Sequence, residues 1–160
     1  MESRFDLMDN EVGGKFAKRF FNASLVLARA LPKSTQELVA LRVSQINGCG
    51  WCVDVHTKEA EAAGETAVRI NLVAAWRESS VFTEAERAAF ALAEEGTRLA
   101  DAHHGVSDET WAAVREHFDD NEVAALVSLV AQINAANRLG VIVRNAGGSY
   151  APGVFAELSD

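Results

Sequence analysis

Only two prolines, Pro32 and Pro152, occur in 160 residues, and both lie near the ends of segments. Between them no run alternates apolar with polar residues as a half-buried strand does. A chain so poor in breakers and in period-two patterning is expected to be all-α. A first helix is predicted over Glu11 to Ala30, with Phe16, Phe20 and Leu27 on its apolar stripe, and Pro32 ends it. Ser34 and Glu37 then read as a capping box. The helix they open carries Leu38, Leu41, Val43 and Ile46 and stops at Asn47 and Gly48, which tolerate a left-handed conformation.

A third helix is predicted to begin at or just after Cys49 and to end at Gly64. Another covers Glu65 to Arg77, with Ile70, Val73 and Trp76 inward. Thr83 and Glu86 form a second capping box, for a helix running to about Ala100. The loop after it holds His103 and His104. Ser107 caps a short helix through Phe118. Asp119 to Asn121 precede a long helix, Glu122 to Arg144, which stops at Gly147 and Gly148. The tail from Ser149 to Asp160 has no helical period and is expected on a neighbour or mobile. Gln45-Ile46-Asn47 recurs as Gln132-Ile133-Asn134 in similarly apolar surroundings, which raises the reading of two related helical halves.

The formal net charge of −8 points away from nucleic acid, since phosphate binding needs a basic face. Arg69 and Arg77, like Glu84, Glu86, Glu94 and Glu95, read as solvated helix faces. The N-terminus has neither a basic start nor an apolar run, so no signal peptide is predicted. The most apolar long stretch, Val123 to Val143, contains Gln132, Asn134, Asn137 and Arg138, which would be costly in lipid. A buried core helix, no membrane span and a cytoplasmic setting are therefore expected, in one domain covering 1–160. Apolar residues near the start (Phe5, Leu7, Met8) and in the tail (Val154, Phe155, Leu158) point to subunit contacts.

The two cysteines of the chain form the pattern Cys49-Gly50-Trp51-Cys52, with His56 four positions on. At ~100° per residue, Cys49, Cys52 and His56 fall within a sector of roughly 60° on one helix face. The Asn47-Gly48 stop places both cysteines at the start of a helix, where unpaired N–H groups and the dipole favour negative charge. Such a position lowers a thiol pKa from about 8.5 and favours the nucleophilic thiolate. His56 is placed to take the Cys52 proton or to supply one to a leaving oxygen. If the flanking helices form an antiparallel hairpin, Glu37 lies ~15 Å back from the turn and His56 ~10 Å forward. A glutamate side chain closes much of that gap, directly or through a water, giving a chain Glu37–His56–Cys52; the competing reading keeps Glu37 as a cap.

Other readings stay open at this point. The thiols are either redox-active or inert and buried. A zinc site would take Cys49, Cys52 and His56, with Glu37, His103 or His104 as the fourth ligand. Structural zinc sites usually draw on two knuckles, however, and no second Cys/His pair occurs. Trp51 either walls a substrate pocket or belongs to the core.

The segment from Glu37 to His56, ELVALRVSQINGCGWCVDVH, resembles the core of the alkylhydroperoxidase D-like (AhpD-like) group of the carboxymuconolactone decarboxylase superfamily. The likeness continues through Thr57 to Gly64, Ala75 to Glu78, Ser107 to Trp111 and Gln132 to Arg138. It implies an AhpD-like helical bundle that assembles as trimers or hexamers. It also implies a thiol-dependent peroxidase of antioxidant function, with no cofactor and no metal. By this resemblance Cys52 is the peroxidatic thiol, Cys49 resolves it to a disulfide, and Glu37 and His56 relay protons. A lipoyl or thioredoxin-like dithiol donor reduces the disulfide. The best-known peroxidase members carry histidine just before the second cysteine, where this chain has Trp51; a larger apolar residue there favours bulky organic hydroperoxides. The competing functions are a redox sensor or scaffold without turnover, and a decarboxylase like the superfamily's name-bearer, whose chemistry does not need a paired dithiol.

Overall fold

A computed structural model describes residues 2–102 and 104–154; His103, Phe155 and Leu158 lie outside the described residues. Among the described residues all regular structure is helical: α1 (Glu11–Leu27), α2 (Lys33–Asn47), α3 (Gly50–Ala62), α4 (Ala67–Leu72), α5 (Glu84–Thr97), α6 (Asp108–His117) and α7 (Asp120–Val143), with a 3-10 turn, Val73–Glu78, after α4. α2 is the hub, packed against α3, α5 and α7. Leu38, Val39, Leu41 and Val43 of α2 meet Ala89, Phe90 and Ala93 of α5 and Leu126 of α7 in the apolar core.

Side-chain caps define most helix starts. Thr83 and Glu86 form the expected reciprocal box at α5, and Asp119 forms one with Glu122 at α7. Ser107 caps α6. The expected box at Ser34 does not form. α2 begins two residues earlier, with Pro32 at the N-cap and no side-chain cap bond. Ser34 Oγ donates to Glu65 instead, and Glu37 turns inward, because each finds a partner across the fold.

Other expectations are corrected. The stripe of α1 is Gly13, Ala17 and Leu27; Phe16 faces outward, half exposed, and stacks on Phe20. The predicted Glu65–Arg77 helix breaks into α4 and the 3-10 turn, with Ala75 out of helical geometry, while Ile70, Val73 and Trp76 are buried as expected. α7 ends with Arg144 in the left-handed region (φ 60°), before the glycines. Gly147 serves close approach instead: a β-carbon on it would stand 2.3 Å from the Gly50 carbonyl oxygen.

Gly148, Tyr150 and Gly153 lie on this chain's own α3. Asp54 accepts from the backbone N–H groups of Gly148 and Tyr150 at 2.7 and 3.0 Å, and Lys58 Nζ donates to Tyr150 O at 2.9 Å. This strap bears on the site, because α3 carries the cysteines.

α7 is long and apolar enough to cross a membrane by length and composition. It packs against α1, α2, α3 and α5. Its polar groups are bonded within the fold: Gln132 donates to Phe20 O, Asn134 to Thr97, and Asn137 to Ser44. The recurring tripeptides face each other, since Asn47 Nδ2 donates to Asn134 Oδ1 at 3.0 Å. They diverge immediately afterwards. Gly48 takes a left-handed turn (φ 65°) and ends α2, whereas Ala135 continues α7.

Arg69 and Glu94 are not solvated faces, whereas Arg77 is exposed as expected. Arg69 joins Glu65 and Glu86, and Glu94 is buried among Arg42, Arg77 and the Trp76 Nε1–H.

Candidate active site

Gly48 closes α2, and its N–H with that of Cys49 returns to the last carbonyls of the helix. The chain re-enters helix at Gly50 with Cys49 as N-cap, so the Cys49 Sγ accepts the Cys52 amide at 3.3 Å. The turn is fixed from α7: Asn47 Nδ2 donates to Asn134 and to the buried Asn137, which donates in turn to Ser44 Oγ at 3.0 Å. Cys49 and Cys52 are joined in a disulfide, and both are buried, 1% and 5% exposed. Gly140 of α7 lies directly against the two sulfurs.

His56 follows Cys52 by one turn of α3, on the same face. Its Nδ1 lies 2.7 Å from Glu37 Oε2, across the α2–α3 hairpin. The hairpin thus brings a carboxylate to the imidazole without a bridging water. Glu37 is buried; its other oxygen, Oε1, lies 2.6 Å from Lys33 Nζ. Burial opposes ionisation of Glu37, but the bonds and charges of His56 and Lys33 outweigh it and hold the carboxyl below its ordinary range. An ionised carboxylate on Nδ1 fixes the ring and favours a proton there, which leaves Nε2 to accept or return one.

Trp51 is half-buried and meets the Tyr150 ring edge-on, 5.8 Å between centroids. It therefore packs under the strap and flanks the disulfide. His104 is exposed in the α5–α6 loop. Among the described residues no cluster of three or more His, Cys, Asp or Glu side chains has the geometry of a metal site.

Lys33, Gly140 and Tyr150 were missed by sequence reasoning. The i,i+4 spacing of Lys33 and Glu37 was the one available local signal. Gly140 and Tyr150 come from nearly 90 or more positions away and left none.

With that geometry in hand, comparison with known proteins is decisive for the family. A sequence profile of the carboxymuconolactone decarboxylase family matches residues 14–95. The chain belongs to the carboxymuconolactone decarboxylase family. Within it, the chain is an AhpD-like member. It is 39% identical over 116 residues to the uncharacterised protein YdfG of Bacillus subtilis (strain 168), spanning 72% of this chain and 78% of YdfG. Its fold is that of ATU0492 from Agrobacterium tumefaciens, a protein of unknown function for which the antioxidant defence role of AhpD has been suggested. That likeness has a TM-score of 0.84 at 32% identity and covers 93% of this chain and all of the other. A peroxidase-related protein from Ralstonia eutropha JMP134, described as an alkylhydroperoxidase AhpD core, shares the fold at TM-score 0.74 and 19% identity, over 95% of this chain and 76% of that one.

Proposed function

We propose that this protein is a thiol-dependent peroxidase that reduces organic hydroperoxides through a dithiol–disulfide cycle at Cys49 and Cys52. The observation that carries the reading is the Cys49–Cys52 disulfide at the head of α3 with the Glu37–His56 pair one turn on. In the reduced protein the Cys52 thiolate attacks the terminal oxygen of ROOH and breaks the O–O bond. Cys52 becomes a sulfenic acid, and the departing RO⁻ takes the proton that His56 removed from the thiol. Cys49 then displaces hydroxide from the sulfenic acid, which leaves as water with the Cys49 proton, and the disulfide forms. A dithiol of the lipoyl or thioredoxin-like class returns both thiols and is itself oxidised. Glu37 stays ionised throughout and holds the imidazolium formed in the first step.

The half-buried Trp51 beside the cysteines supports a preference for bulky organic hydroperoxides over hydrogen peroxide. Exposed apolar residues Met8, Val12 and Phe16 support a homo-oligomer, a trimer or hexamer, which sedimentation would size. A reducing compartment such as the cytoplasm supplies the donor.

The test is a free-thiol count on reduced protein before and after one equivalent of cumene hydroperoxide. Loss of both thiols within seconds, reversed by a dithiol and abolished in Cys52→Ser, is expected. Retention of both thiols would overturn the peroxidase reading, and oxidation without turnover would leave a redox sensor.

A further inference from the structure

Lys33 is the first residue of α2, where a cation opposes the helix dipole and no side-chain cap precedes it. Its place is set by two carboxylates. Lys33 Nζ lies 2.6 Å from Glu37 Oε1 and 3.5 Å from Glu59 Oε2. Both carboxylates divide their oxygens. Glu37 gives Oε2 to His56, and Glu59 gives Oε1 to the Tyr150 hydroxyl at 2.6 Å and the Gly153 N–H at 2.8 Å. One continuous line therefore runs from the strap to the imidazole: Tyr150, Glu59, Lys33, Glu37, His56.

We propose that Lys33 is a positioning residue for the Glu37–His56 pair, and that the strap, through Tyr150 and Glu59, determines how fully Lys33 is given to that pair. This rests on reading the pair as the proton relay of the cysteines. The two carboxylates share one ammonium charge. Glu59 already has two donors from the strap, so its need for the ammonium is small, and Lys33 sits closer to Glu37. Without the strap's donors Glu59 draws Lys33 toward itself. The loss falls on Glu37, whose side chain is the less exposed of the two, 8% against 13%. A buried carboxylate that loses a cation takes up a proton more readily, and a protonated Glu37 has no charge to hold an imidazolium.

The other charged groups near α2 are otherwise engaged. On α5, Glu94 is held by Arg42 of α2, by Trp76 and by Arg77. Glu65 is held by Ser34 and Arg69. α7 faces the end of α2 with the neutral Asn134 and Asn137. His56 and Lys33 are thus the groups bonded to Glu37, and Glu59 and Tyr150 act on it through Lys33.

The experiment follows the Glu37 carboxyl carbon by 13C NMR during a pH titration of the oxidised protein, assigned by its disappearance in Glu37→Gln. Lys33→Met should raise the midpoint by about one pH unit, and Lys33→Arg, which keeps the charge, should reverse most of that shift. Tyr150→Phe, which removes a single oxygen, should move the midpoint in the same direction by less. It should add nothing in a Lys33→Met background. An unchanged midpoint in Lys33→Met, or Lys33→Arg matching Lys33→Met, overturns the role of Lys33. A Tyr150→Phe shift that persists without Lys33, or no shift at all, overturns the link to the strap. No peroxide enters these titrations, so a wild-type protein that fails the thiol count would sink the peroxidase reading and leave the midpoints to decide this one.

Discussion

Gly140 stands against Cys49 so closely that a β-carbon on it would lie 3.0 Å from the Cys49 Sγ and 3.7 Å from the Cys52 Sγ. The last turn of α7 is therefore the floor on which the disulfide rests. By helix propensity alone, Gly140→Ala would stabilise α7 by up to about 1 kcal/mol. Here the added methyl needs the disulfide-bonded Cys49 sulfur to give by a few tenths of an ångström, and overpacking costs about 1–3 kcal/mol where a neighbour is held. The variant should accordingly lower stability in urea and slow closure of the disulfide by reduced protein. An unchanged or raised midpoint in urea would show that the sulfurs yield freely.

The Glu37–His56 contact makes a second prediction. Glu37→Gln keeps the shape of the carboxyl but removes its charge, so it should slow peroxide-driven thiol loss by about 10²-fold if general acid–base help is lost. The pH dependence has a definite sign. His56 and Lys33 hold Glu37 below its ordinary value in the folded protein. Its stabilising charge is then complete above the unfolded carboxylate range and disappears only as pH falls through the lower folded value. Rates in the wild type should show no Glu37-linked loss between about pH 5 and 8. Stopped-flow thiol oxidation across that range checks both statements.

The capping boxes show what a sequence does and does not reveal. Thr83 with Glu86 and Ser34 with Glu37 carry the same local pattern, and only the first becomes a cap. The difference lies in partners far along the chain: Glu65 takes the Ser34 hydroxyl and His56 takes Glu37. The helical class, the break at Gly48 and the pairing face of Cys49, Cys52 and His56 depend on neighbours within a turn or two, and were legible. The support from Gly140, Asn137 and Tyr150 depends on where α7 and the strap return, which no local spacing encodes. Glu94 likewise looked like a surface charge because its partner Arg42 is 52 positions away.

Glu94 is the clearest structural carboxylate outside the site. It is 3% exposed and receives Arg42 Nε at 2.7 Å, Trp76 Nε1–H at 2.9 Å, and Arg77. Burial pushes its pKa up, and the Trp76, Arg77 and Arg42 bonds more than offset that, leaving it lowered. Glu94→Ala strands the half-buried Arg42 guanidinium and should destabilise the fold by about 3 kcal/mol. Since the folded carboxyl titrates below its unfolded value, the contribution is intact above about pH 5 and is lost on further acidification. The gap between wild type and Glu94→Ala should therefore narrow toward pH 3, as read from urea midpoints at successive pH values. A gap that stays constant would mean that packing, not charge, makes the contribution.

The strap makes the last prediction. Gly147 lies on the first turn of α3, and a β-carbon there would stand 2.3 Å from the Gly50 oxygen and 3.2 Å from the Asp54 Cβ. Backbone of this kind cannot step aside, so Gly147→Ala must lift the strap. Asp54 then loses the N–H groups of Gly148 and Tyr150, and Trp51 loses the edge-on Tyr150 ring. Lifting the strap therefore costs two charge-assisted bonds and one aromatic contact. The emission of Trp51, isolated by difference against Trp51→Phe, should shift to the red and become quenchable by acrylamide. The cysteines should still close, because their floor at Gly140 belongs to α7 and not to the strap. Loss of disulfide formation in Gly147→Ala would instead mean that the strap holds the head of α3 in place for the chemistry.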